Sequence, residues 1–152
     1  MSDPDIVTQT ETSTAVIHGV VAMAELTSFF DRAFTELATV LGKQGIVPAG
    51  PAFARYAGPP GETVELEVGF PVGDSLSAEG RVRSSTLPGG TAARMVHAGS
   101  YDQLADAWGR LGAWITEQGL TPGTDLWEVY VTEPSPDMDP ADLRTELVWT
   151  VR

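Results

Sequence analysis

The chain has 152 residues, with 21 Asp plus Glu against 9 Lys plus Arg, a formal net charge of −12 and no cysteine. That length suits one domain with one core, and 42% apolar against 20% charged residues is the composition of a folded chain. Disulfides, thiolate metal sites and thiol nucleophiles are excluded, and one lysine with eight arginines is too little positive charge for a nucleic acid or an anionic membrane.

No basic residue precedes Arg32, so the start lacks the positive region of a signal peptide, and the charge-free run 12–24 is too short to span a bilayer. The expected location is cytoplasmic. A β-rich run at 14–21 leads into a helix over about 25–44, where Phe30, Phe34, Leu37 and Leu41 recur at helical spacing beside Ala33 and Val40. Strands follow at 52–56 and 63–72, separated by a Gly-Pro turn at 57–61. After a second turn at 87–90 the order recurs. A β-rich run at 91–98 precedes a helix striped by Leu104, Trp108, Leu111 and Ile115, which ends near Gly119. Ser100 and Gln103 stand at capping-box spacing before it, and strands at 126–132 and 144–151 close the chain.

Strand, helix, strand, strand thus occurs twice, and the repetition is visible residue by residue. At a shift of 74, Phe34 falls on Trp108, Leu37 on Leu111, Gln44-Gly45 on Gln118-Gly119, Pro48 on Pro122 and Tyr56 on Tyr130. Six identities occur over the 27 pairs from position 30 to position 56, where composition alone gives roughly two. At a shift of 79, His18 falls on His97 and Glu67 on Glu146. The chain reads as one domain over 1–152, a tandem duplication with repeat one about 6–72 and repeat two about 80–152. The expected class is α+β: a curved antiparallel sheet with two helices on one face and a ligand groove between the repeats on the other. Strand parity puts the apolar row Trp127, Val129 and Val131 under a helix and turns Glu128, Tyr130 and Thr132 toward the groove. Tyr56 joins them from the first repeat, where Ala54 stands in place of Glu128.

At these residues the sequence resembles the GyrI-like family, the small-molecule-binding domain also attached to drug-sensing bacterial transcription regulators. The resemblance rests on Val96-His97-Ala98-Gly99-Ser100-Tyr101, on Leu126-Trp127-Glu128-Val129-Tyr130 and on Arg144-Thr145-Glu146-Leu147-Val148-Trp149, with Pro134 and Pro140 between the last two. It covers almost the whole chain. It implies a duplicated unit whose groove glutamate, matching Glu128, meets cationic lipophilic ligands. No helix-turn-helix fits before the first repeat, so a stand-alone binding domain is implied.

A carboxylate beside tyrosine rings suits that ligand class, since cation–π contact adds about 0.5–2 kcal/mol for an organic cation and nothing for a neutral one. The expected ligand-binding residues are Glu128, Tyr130, Tyr56 and Glu146. The family also contains hydrolases of cyclopropane-bearing toxins, which makes Glu128 the general base and Tyr130 the proton donor of an alternative, enzymatic reading. A third is a gyrase-inhibitor-like protein. Plainer readings stand beside these: Glu128 as an exposed strand glutamate, Glu146 paired with Arg144, and Tyr56 and Tyr130 as sheet-packing aromatics. The four tryptophans read as core, and the two histidines as structural. No metal site is expected, because Asp137, Asp139 and Asp142 lack the glycine and terminal glutamate of a calcium loop. Asp139 before Pro140 reads instead as the cap of a short helical turn. No cofactor is expected.

Overall fold

Both expected helices are present in the computed structural model, which describes residues 3–57, 62–73, 76–100, 103–132 and 139–152. The turn residues 58–61, Tyr101, Pro134 and Asp137 lie outside these. Helix α1 runs Leu26–Lys43 after a 3₁₀ turn at Met23–Glu25, and α2 runs Leu104–Glu117. The repeated Gln-Gly pairs end them in one way. Gly45 and Gly119 adopt φ of +67° and +76°, a region that costs other residues about 1–2 kcal/mol. The amide of Ile46 then donates to the Leu41 carbonyl at 2.9 Å, and that of Leu120 to the Ile115 carbonyl at 3.1 Å, which satisfies carbonyls the last turn leaves open. At the other end of α2, Gln103 occupies the N-cap position without a side-chain capping bond, and its amide donates to the Ser100 carbonyl at 3.2 Å.

Eight antiparallel strands complete an α+β fold: β1 (Asp5–Gln9), β2 (Thr12–Ala22), β3 (Phe53–Tyr56), β4 (Thr63–Pro71), β5 (Val82–Leu87), β6 (Gly90–Ala98), β7 (Pro122–Tyr130) and β8 (Arg144–Val151). They belong to two compact units. The first unit, Thr10–Gly89, holds strands in the order β3-β4-β2-β5 and helix α1. The second, Met1–Gln9 with Gly90–Arg152, holds β1-β6-β8-β7 and α2. Strands β1 and β5, absent from the sequence reading, are edge strands about half of whose residues are exposed and which carry little apolar alternation. Among the described residues no helix is long and apolar enough to cross a membrane.

Each helix buries one stripe on its own sheet. In the first unit Phe29, Ala33, Leu37, Val40 and Leu41 are buried, and Phe34 meets Phe70 of β4 edge to face at 5.6 Å. Phe70, Val68, Leu66 and Val64 alternate along β4, so they share the α1 face. In the second unit Leu104, Ala107, Leu111 and Ile115 pack on Ala93, Met95, Leu147 and Val151. Each large side chain so buried contributes about 1.5–3 kcal/mol. The α1 stripe differs from expectation at one turn, since Phe29 is 6% exposed whereas Phe30 is only half-buried.

The pairing registers also correct the internal alignment. Ile17 lies opposite Val68 and Gly19 opposite Leu66, as Met95 lies opposite Leu147 and His97 opposite Thr145. With β4 and β8 aligned at a shift of 79, Gly19 rather than His18 corresponds to His97. A one-residue slip turns a strand side chain to the other face. His18 therefore points away from α1, with Nε2 2.8 Å from Glu65 Oε2, while His97 lies on the α2 face, 2% exposed. At Gly19 a Cβ would stand 2.5 Å from the Phe29 ring, so that ring fills the space a side chain there would need.

Candidate functional site

Glu128 sits on β7 opposite Leu147 of β8, and Tyr130 sits opposite Thr145. Directly paired residues share a face, and Leu147 belongs to the core under α2. Glu128 and Tyr130 therefore face the helix of their own unit, not an open face. The parity assignment is reversed: Trp127 and Val129 point away from α2, and Val131 lies beyond the strand, 50% exposed. The error came from taking the apolar row as the helix row. Trp127 is 3% and Glu128 4% exposed, so both sides of this strand are buried, and a carboxylate interrupts the side under the helix.

A buried carboxylate is tolerated only when hydrogen-bonded, and this one has both oxygens engaged. Trp108 of α2 donates from Nε1 to Glu128 Oε1 at 2.9 Å, and Tyr130 donates from its hydroxyl to Oε2 at 2.8 Å. Bonds to a charged acceptor contribute about 1.5–3 kcal/mol each. Trp108 is fixed in turn by Trp149, whose ring meets it edge to face at 5.7 Å and 78°. Trp149 donates from Nε1 to the Gly123 carbonyl at 2.9 Å. Its ring comes within 3.2 Å of where a Cβ on Gly112 would stand. The result is one carboxylate held by Trp108 and Tyr130, with Trp149 packed behind Trp108.

The other expected residues do not join it in the same unit or on the same face. Tyr56 lies on β3 in the first unit, opposite Leu66 and so on the α1 face. Glu146 alternates with Leu147 and points away from α2, its Oε2 3.3 Å from Arg94 Nε. Arg144, its expected partner, donates instead to the carbonyls of Ala141 and Leu143 at 3.0 Å. Asp139 does cap a 3₁₀ turn at Pro140–Asp142, accepting from the Ala141 amide at 3.0 Å.

Trp108 is the partner of Glu128 that sequence reasoning missed, and the repeat held its signal. Where the second unit has Trp108 and Glu128, the first has Phe34 and Ala54. The indole donor and its carboxylate acceptor are present together in the second unit and absent together from the first. Corrected registers extend the contrast: His97 and Thr145 stand where the first unit has Gly19 and Leu66. Tyr130 and Tyr56 are common to both. Polarity thus concentrates on the α2 face at four positions that are apolar or glycine in the other unit.

His97 bonds through Nε2 to the Ser100 carbonyl at 3.0 Å. Its Nδ1 and the hydroxyl of Thr145 are buried without a hydrogen-bond partner among the described residues. His97 also borders an open groove of about 770 Å³ along α2, whose other walls include Gln103, Asp106 and Arg110. Glu128 is not among those walls. Among the described residues no three His, Asp or Glu side chains are grouped to hold a metal ion.

Solved structures share this fold at low sequence identity. The EcmrR C-terminal domain matches with a TM-score of 0.87 at 19% identity, covering 99% of this chain and 97% of that one. Against EcmrR in its DNA complex the TM-score is 0.86 at 20% identity, over 99% of this chain, which spans only 57% of that longer protein. SAV2435, solved with tetraphenylphosphonium bound, matches with a TM-score of 0.73 at 12% identity, over 99% of this chain and 94% of that one. A hydrolase from Listeria innocua matches at 0.69 and 14%, over 98% and 91%. Comparison with curated proteins found no match. The family model described as the GyrI-like small molecule binding domain matches residues 2–152, and the chain belongs to that family.

Proposed function

We propose that this protein binds lipophilic organic cations against Glu128, sequestering or sensing them, with Trp108, Trp149 and Tyr130 supplying the surrounding ring surface. The observation that carries this reading is a carboxylate 4% exposed and held by an indole and a phenol. Hydrogen bonds from neutral donors orient a charge without neutralising it. The field of the carboxylate attracts a cation, and the rings add cation–π attraction while excluding water. The net charge of −12 raises the local concentration of cations over anions. SAV2435, which shares the fold, was solved with a lipophilic cation bound. Calorimetric titration with tetraphenylphosphonium tests the proposal; saturable one-to-one binding is expected, and no heat at millimolar ligand would refute it.

One observation favours a second reading. The Tyr130 hydroxyl lies 2.8 Å from Glu128 Oε2, within the reach needed for a general base and a proton donor to act on one substrate. That geometry suits hydrolysis of an electrophilic small molecule, and a hydrolase shares the fold. Mass spectrometry of a recovered cyclopropane-bearing ligand separates the two readings: an added water marks the enzyme, and an unchanged mass marks the binder.

A further inference from the structure

Among the described residues, His97 and Thr145 are the buried polar residues of the second unit besides Glu128. They stand directly opposite each other on β6 and β8, and Thr145 stands opposite Tyr130 on β7. Tyr130, Thr145 and His97 therefore form one row across three neighbouring strands, about 4.8 Å per step, with Glu128 two residues along β7. His97 is 2% and Thr145 0% exposed, and His97 Nδ1 and Thr145 Oγ1 each lack a hydrogen-bond partner among the described residues. Burying two polar atoms unsatisfied lowers stability with no return inside the protein. In the first unit the same positions are Gly19 and Leu66, where no such loss arises.

The protonation pattern says what would satisfy them. The Ser100 carbonyl can only accept, so His97 Nε2 carries the hydrogen, and in the tautomer with its hydrogen there Nδ1 presents a lone pair. The Thr145 hydroxyl both donates and accepts. One ligand hydroxyl has the chemistry to satisfy both, donating to His97 Nδ1 and accepting from Thr145 Oγ1. We infer that His97 and Thr145 form a hydrogen-bonding subsite that selects, among the organic cations of the Glu128 site, those carrying a hydroxyl group one or two strand spacings from the cationic centre. This rests on the cation-binding reading above and adds to it a second, neutral recognition element.

The test pairs two probes that differ by one oxygen, tetraphenylphosphonium and (4-hydroxyphenyl)triphenylphosphonium, titrated by calorimetry into the intact chain and its Thr145→Val and His97→Phe variants. In the unaltered protein the hydroxylated cation should bind about tenfold more tightly, the usual effect of one well-placed hydrogen bond in a dry site. In each variant the ratio should fall to within about twofold. Thr145→Val should also melt a few degrees higher, because it removes an unsatisfied buried hydroxyl at constant shape. Equal affinities in the unaltered protein, or a preference that survives both substitutions, would overturn the subsite while leaving the cation reading intact. Failure of both probes to bind would overturn both.

Discussion

The indole Nε1 of Trp108 lies 2.9 Å from Glu128 Oε1, and these residues occupy the positions that hold Phe34 and Ala54 in the other unit. Donor and acceptor differ together between two halves that otherwise keep the same edge-to-face ring pair, Phe34 on Phe70 and Trp108 on Trp149. The first unit shows what this architecture looks like without a buried charge: small and apolar at the strand, phenyl at the helix. The second shows what must be added to bury one.

If Trp108 serves chiefly to hold that charge, its substitution should depend on Glu128. Trp108→Phe keeps a ring and removes the donor, and should cost about 1–3 kcal/mol in urea unfolding. In a Glu128→Ala background, which recreates the Phe-Ala arrangement of the first unit, the same change should cost about half as much or less. A coupling of about 1–2 kcal/mol is expected in the double-mutant cycle. Additive losses would mean that Trp108 acts through packing alone.

Glu146 provides a control on the same strand as the core residue Leu147. It points away from α2 and pairs with Arg94, so Glu146→Gln should leave tetraphenylphosphonium affinity within about twofold. Its half-exposed ion pair contributes at most about 1 kcal/mol, and stability should change by no more than that. A large loss of affinity would place a second acid in the site.

Gly19 and Phe29 give a prediction confined to the first unit. Gly19→Ala puts a Cβ 2.5 Å from the Phe29 ring, and should cost about 1–3 kcal/mol of stability. Adding Phe29→Leu should recover part of it. Denaturant midpoints of the three proteins check this, and a Gly19→Ala chain as stable as the parent would show that the ring moves aside freely.

The helix ends were legible from the Gln-Gly pairs. Gly119→Ala should cost about 1 kcal/mol, the penalty of φ near +76° for a residue with a side chain, read as a lower melting temperature.

What the chain reveals unaided follows from periodicity. The stripes at Leu37, Leu41, Leu111 and Ile115, and the six identities between halves, place both helices within a few residues and expose the duplication. Faces were harder. Alternation gives two rows along β7 without saying which lies under the helix, and a row containing Glu128 looks solvent-facing until the register with Leu147 is known. The same ambiguity aligned His18 with His97, a slip of one residue that the apolar neighbours Val16 and Ile17 did not penalise, because both faces of β2 are buried there. Strands β1 and β5 carry edge residues such as Ser84, Thr86 and Gln9, whose pattern resembles that of loops. Glu128 and Tyr130 were singled out by strand parity and resemblance. Trp108 was not, because a tryptophan on a helical stripe is ordinarily core, and only its covariation with position 128 between the halves marks it otherwise.

The central claim is that the buried charge of Glu128 attracts a cation, and Glu128→Gln tests it most directly. Glutamine keeps the length of the side chain, can accept from Trp108 and can donate to the Tyr130 oxygen, so what is removed is charge. Tetraphenylphosphonium and the neutral triphenylphosphine oxide are titrated by calorimetry into both proteins. The cation should lose about 1–3 kcal/mol of binding free energy, roughly 5- to 150-fold in Kd, and the neutral compound less than about twofold. Equal losses for the two ligands, or no loss for the cation, would contradict the account and leave Glu128 as a structural residue tied to Trp108.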